Sequence, residues 1–222
     1  MNAVVAAVAG AAGVLTGAPV ASVIYALPSS GPVAVPPRAW MGGSAPRRAI
    51  LATTVLTGTT AALVCGELIL NPALPAFWMF AVLGVGLAGT DLRRHRLPYA
   101  LTGTLYLACT IGFVAEACRS GNIGPLARAS VAAVLVTTGL LVLALTLPGQ
   151  LGLGDVVLAG AISLSLGWLS WRTMTAGVVL GLLVHAFVAA SIALRGRSTA
   201  SQLLPLGPSL LIGWTAAVVT VR

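Results

Sequence analysis

Charge is what this chain lacks. Only 7% of its 222 residues are Asp, Glu, Lys or Arg, and lysine is missing altogether, so all twelve basic side chains are arginine. Soluble domains commonly carry about a quarter of their residues as charged groups. With 58% hydrophobic residues and a mean hydropathy of +1.03, this chain has no such surface, and a water-soluble fold is excluded. Cysteine is nearly as scarce. Cys65, Cys109 and Cys118 lie in apolar stretches without C-x-x-C spacing, which excludes a disulfide framework and offers no zinc site. They are expected as buried apolar side chains. The acids number four: Glu67, Glu116, Asp91 and Asp155.

What remains is long apolar runs. A helix crosses the hydrocarbon core in about 20 residues, so eight crossings use roughly 160 and leave only short connections. The runs fall at about 3–27, 49–70, 76–92, 99–118, 128–148, 156–171, 173–194 and 206–221, broken by Gly, Pro or Arg. The expected fold is all-α, a polytopic membrane bundle of eight helices in one domain. The first run has no basic residue before Arg38, unlike a cleaved secretory signal, and is expected to be retained. Residues 28–48 are rich in Pro, Gly and Ser and are expected to form a short cytoplasmic loop with little regular structure, with the core over 49–222.

The net charge of +8 is explained by topology rather than nucleic acid, for which no binding is expected. Placing 28–48 in the cytoplasm puts Arg38, Arg47, Arg48, Arg93, Arg94, Arg96, Arg195 and Arg197 inside. Arg119, Arg128, Arg172 and Arg222 then lie outside. This excess agrees with the positive-inside rule and puts both termini outside. The same alternation carries Asp91, at the end of the third helix, and Asp155, at the start of the sixth, to the cytoplasmic face.

Each aspartate has an ordinary structural explanation. Asp155 closes Gly152-Leu-Gly154-Asp and could simply cap a helix, where the dipole stabilises negative charge. Asp91 stands at a helix carboxy-terminus, where the dipole opposes it, and Arg94 at i+3 could pair with it at the surface. Together they offer more. Two adjacent carboxylates share a proton, so one can activate water while the other polarises a peptide carbonyl. That chemistry needs neither metal nor cofactor, and none is expected.

The segment Asp91-Leu-Arg-Arg-His-Arg-Leu-Pro98 resembles the D-x-x-x-x-R-I-P segment of type IV prepilin peptidases, and Gly152-Leu-Gly-Asp155 resembles their G-x-G-D motif. Gly17-Ala-Pro-Val-Ala-Ser-Val-Ile-Tyr-Ala-Leu-Pro28 is similar to the family's G-S-F-L-N-V-V-I-Y-R-L-P. Leu204-Pro-Leu-Gly-Pro-Ser-Leu210 is similar to its P-F-G-P-F-L. The four segments stand in family order and span most of the chain. The resemblance implies a membrane aspartic endopeptidase with Asp91 and Asp155 as the pair and Gly152 and Gly154 shaping the active-site turn. It would cut the basic leader from prepilin-like substrates at the cytoplasmic face of a bacterial plasma membrane. Tyr99, Ala26 and Val157 depart from the family pattern, Val157 standing where a lysine is usual. The cysteine-rich first loop of bifunctional members is absent, so methyltransferase activity, S-adenosylmethionine and zinc are not carried over.

Other polar groups are expected to be structural. His185 reads as a neutral histidine bonded between helices, and Glu67 and Glu116 as outer-face groups, the latter paired with Arg119 at i+3. Arg93, Arg94 and Arg96 suit anionic lipid headgroups. Gly84-x-Gly86 and the Gly160 to Gly167 spacing suit close helix packing. Two further classes stay open: a small transporter using one aspartate as an ion site, and an inactive relative that acts in pilus or secretion assembly.

Overall fold

The computed structural model describes residues 2–26, 38–94, 97–146, 151–194 and 204–220. Among them are eight α-helices and no strand: α1 (Asn2–Ala26), α2 (Arg47–Glu67), α3 (Leu74–Arg94), α4 (Tyr99–Ser120), α5 (Gly124–Thr146), α6 (Leu153–Leu169), α7 (Trp171–Leu194) and α8 (Gly207–Thr220). Six are long and apolar enough to cross a membrane, which makes this a multi-pass membrane helical bundle. Leu27, Pro28, His95, Arg96, Arg195, Arg197 and Arg222 lie outside the described residues. The loop after α1 is more ordered than its composition suggests where it is described. Ala39–Met41 make a 3₁₀ turn closed by Gly42 at φ 92°, a conformation that favours glycine.

The helices run up and down in turn, so α1, α3, α5 and α7 end where α2, α4, α6 and α8 begin. Small residues let neighbours approach. A Cβ added to Gly10 would lie 3.0 Å from Ala62 Cβ, and one on Gly167 would lie 2.8 Å from Ala132 Cβ. Gly84 and Gly86 do the same against Leu211 and Val20, at 3.0 and 3.3 Å. Centrally, Phe80 stacks on Trp214 at 4.4 Å and Phe113 on Trp168 at 4.8 Å, while Trp214 Nε1 donates to Ser165 Oγ at 2.8 Å. Large exposed side chains such as Val134, Leu135, Leu183 and Phe187 turn outward from α5 and α7, as lipid-facing residues must. Cys65 and Cys109 are buried, but Cys118 is exposed, correcting the expectation for that residue. An apolar neighbourhood in sequence does not distinguish lipid from core.

The short sixth span is α6, with 17 residues, most of them buried. At 1.5 Å per residue it is about 25 Å long, less than the roughly 30 Å of the hydrocarbon core. It is enclosed by protein, and its carboxy-terminal carbonyls are met by Arg128 of α5: Nε donates to Gly167 O at 2.7 Å and a terminal nitrogen to Leu169 O at 3.0 Å. A cation here also answers the helix dipole. Arg128→Met is expected to lower unfolding stability by about 2 kcal/mol, read from reversible denaturation in detergent. Arg128→Lys should recover only part of it, because one ammonium cannot reproduce the planar fork.

Candidate active site

One end of the bundle gathers the motif segments. Asp91 sits in the last turn of α3, 3% exposed, so it is not the surface acid that pairing in water would require. Its Oδ2 accepts a hydrogen bond at 3.0 Å from the backbone N–H of Gly207, the first residue of α8. Pro208 follows and carries no N–H. The free donors and dipole at a helix start favour negative charge, and here they are aimed at Asp91. The approach is close: a Cβ on Gly207 would lie 2.8 Å from Asp91 Oδ2 and 3.5 Å from Leu158 Cδ2 of α6.

Asp155 lies one turn before Leu158 on α6. Gly152, in extended conformation (φ −76°, ψ 139°), occupies the cap, so Asp155 is not the N-cap that the glycine sequence suggests; it stands in the first turn. Its carboxylate folds back towards the Gly152 backbone, with Oδ2 3.0 Å from where a Cβ at 152 would be. Oδ1 is buried and has no hydrogen-bond partner among the described residues. Asp91 and Asp155, on different helices, are within electrostatic range of each other.

Gly154 is buried against the segment joining α3 to α4. A Cβ there would lie 2.8 Å from Leu97 Cβ and 3.0 Å from Leu97 O. The Leu-Pro that follows Asp91 in sequence and the glycine that precedes Asp155 are thus in direct contact. This fastens the two acids' helices together beside the carboxylates.

Two polar groups reach this site unannounced. Gly207 is visible in the sequence only as part of the Pro-Leu-Gly-Pro string, with nothing to name Asp91 as its partner. His185 of α7 lies within electrostatic range of Asp91, although its position inside an apolar helix suggests only a structural histidine bonded to a neighbouring helix. Of the readings for Glu67 and Glu116, the i+3 pairing of Glu116 with Arg119 is found, although Glu116 itself is buried rather than at the surface. Both acids lie at the opposite end, lining separate cavities with Asn71, and Glu116 Oε1 pairs with Arg119 at 2.7 Å. Among the described residues no cluster of His, Cys, Asp or Glu is arranged to hold a metal ion.

No family model, curated protein or solved structure compared with the chain matches it.

Proposed function

We propose that the chain is a membrane-embedded aspartic endopeptidase of prepilin-peptidase type. The observation that carries the reading is the convergence of Asp91 and Asp155, from different helices, to within electrostatic range of each other at one end of an otherwise apolar bundle. An acid inside such a bundle is costly unless it has a use or a partner, and two that approach one another raise that cost.

The two environments suggest a division of labour. Asp91, held by the Gly207 N–H at a helix start, is suited to remain a carboxylate and act as general base. Asp155, with one buried oxygen unmet, is suited to carry the shared proton and act as general acid. Asp91 takes a proton from water as its oxygen attacks the peptide carbonyl carbon. Asp155 gives its proton to the carbonyl oxygen, forming a neutral tetrahedral diol. The proton held by Asp91 then passes to the amide nitrogen and the C–N bond breaks. A diol hydroxyl returns its proton to Asp155, leaving a carboxyl product, an amine and the original dyad.

The proposed substrate is a prepilin-like protein whose basic leader is removed beside its hydrophobic helix. The proposed setting is a bacterial plasma membrane with the site facing the cytoplasm. Of the described arginines, Arg38, Arg47, Arg48, Arg93 and Arg94 lie at the end bearing the aspartates, against Arg119, Arg128 and Arg172 at the other. Asp91 and Asp155 stand in terminal turns, whereas a transporter's ion site ordinarily lies near the bilayer midplane on broken helices. The deciding experiment is co-expression with prepilin-like substrates, followed by sizing of the product and sequencing of its new amino-terminus. Cleavage just before the hydrophobic segment is expected. A well-folded protein that leaves several such substrates intact would sink the reading.

A further inference from the structure

Gly177, Gly181 and His185 recur every fourth residue along α7 and therefore share one face. That face is packed on α8. A Cβ on Gly177 would lie 3.6 Å from Gly213 O, and one on Gly181 would lie 2.9 Å from Leu210 Cα. The helices are antiparallel, so one turn along α7 steps one turn back along α8. The next turn, from Gly181 to His185, arrives at the start of α8, where the Gly207 N–H holds Asp91. The register thus brings His185 to the level of the α8 start that holds Asp91, and the two are in electrostatic range.

The surroundings favour a use for it. His185 is half-buried and stands nine residues before the end of α7, which therefore continues about 13 Å beyond it. A polar ring at that depth is expensive without a partner. Asp91 already receives the Gly207 donor on Oδ2, and a second polar neighbour on the α7 side would fix the carboxylate's rotation as well as its charge.

We propose that His185 is a positioning residue for the dyad, holding Asp91 as the carboxylate member in the orientation set by Gly207. It acts through Asp91 and need not touch the peptide. The kinetic consequence rests on the peptidase reading; the electrostatic coupling of His185 to Asp91 does not.

The test compares the full-length wild-type chain with His185→Gln and His185→Leu in proteoliposomes, using a prepilin-like substrate. The kcat is expected to fall about 10- to 100-fold, more for Leu than for Gln, with KM changed less than about twofold because substrate binding is untouched. A parallel measurement does not depend on turnover. The chain has two histidines, His95 and His185, so ¹⁵N-histidine spectra can be assigned with His95→Gln. Asp91→Asn is expected to move the His185 ring resonances. Unchanged kcat in His185→Leu, or His185 resonances indifferent to Asp91→Asn, would overturn the proposal. Wild-type protein inert on every substrate would instead defeat the peptidase reading, and the spectra would still decide whether His185 and Asp91 are coupled.

Discussion

Asp91→Asn and Asp155→Asn are each expected to lower the proposed prepilin cleavage by at least about 10³-fold, while the protein still inserts and accumulates in the membrane. Asparagine keeps the size and shape of the side chain. At position 91 its carbonyl can still accept from the Gly207 N–H, so the junction of α3 with α8 survives. What disappears is the proton: an amide can neither take one from water nor return one to a leaving amine. On the proposed shared-proton mechanism the double variant should be scarcely worse than either single one, a non-additivity typical of residues that serve a single step. The check is the initial rate of product formation at matched membrane levels. A single variant retaining a tenth of wild-type activity would remove its aspartate from the mechanism, and independent, multiplying losses would argue against a shared proton.

A methyl group is nearly as damaging where it enters this junction. Gly207→Ala places a Cβ 2.8 Å from Asp91 Oδ2, nearer than such atoms normally come, so either the carboxylate turns away or the start of α8 retreats. Both break the hydrogen bond that orients Asp91, and an error of that size is expected to cost about 10²-fold in kcat. Gly154→Ala meets Leu97 through both Cβ and the backbone oxygen, which cannot swing aside as a side-chain tip can. It should damage stability as well as rate. Gly152→Ala meets only a rotatable carboxylate oxygen, at 3.0 Å, and is expected to be milder. At Gly103 an added methyl would meet no atom within 4 Å, so Gly103→Ala is the neutral control, its helix propensity if anything improved. Equal rates for Gly207→Ala and Gly103→Ala would mean that the close approach to Asp91 has no bearing on turnover.

The helices are legible because apolar runs of membrane length, interrupted by Pro, Gly and Arg, leave little choice of boundary. The starts of α5 and α6 are exceptions: α5 begins at Gly124, ahead of the run expected from 128, and α6 is the clearer case. A Gly-Leu-Gly stretch does not look helical, yet Gly152 caps the helix and Leu153 begins it, carrying Asp155 into the first turn. The aspartates stand out through scarcity, since an acid among so many apolar residues is conspicuous. Their neighbours do not. In water, an amphipathic pattern tells which side of a helix faces the core; α7 is apolar on both its lipid side and its protein side, so His185 has no visible direction. Only the glycines at 177 and 181 mark the face it shares, and their meaning depends on knowing that α8 lies there. Gly207 presents the same difficulty: its string can be read, but a backbone donor's acceptor on a distant helix leaves no trace in composition. Cys118 is misplaced by the sequence for the matching reason that lipid and core ask for the same side chains.

The helix that carries Asp155, α6, and the helix whose start holds Asp91 of α3, α8, are the two shortest, while longer helices such as α5 and α7 carry much of the lipid-facing surface. Adaptation to bilayer thickness therefore falls on the perimeter. When acyl chains lengthen or shorten, the outer helices can tilt and their flanking side chains can shift towards the headgroups, each at a fraction of a kcal/mol per ångström. The inner pair is screened from that adjustment by the protein around it. Asp155 is carried by one of them, and Asp91, at the end of α3, is tied to the other through the Gly207 N–H. The proposed pair is thus referenced to the screened helices rather than to the annular lipid, and its geometry is expected to hold as membrane composition changes with growth temperature.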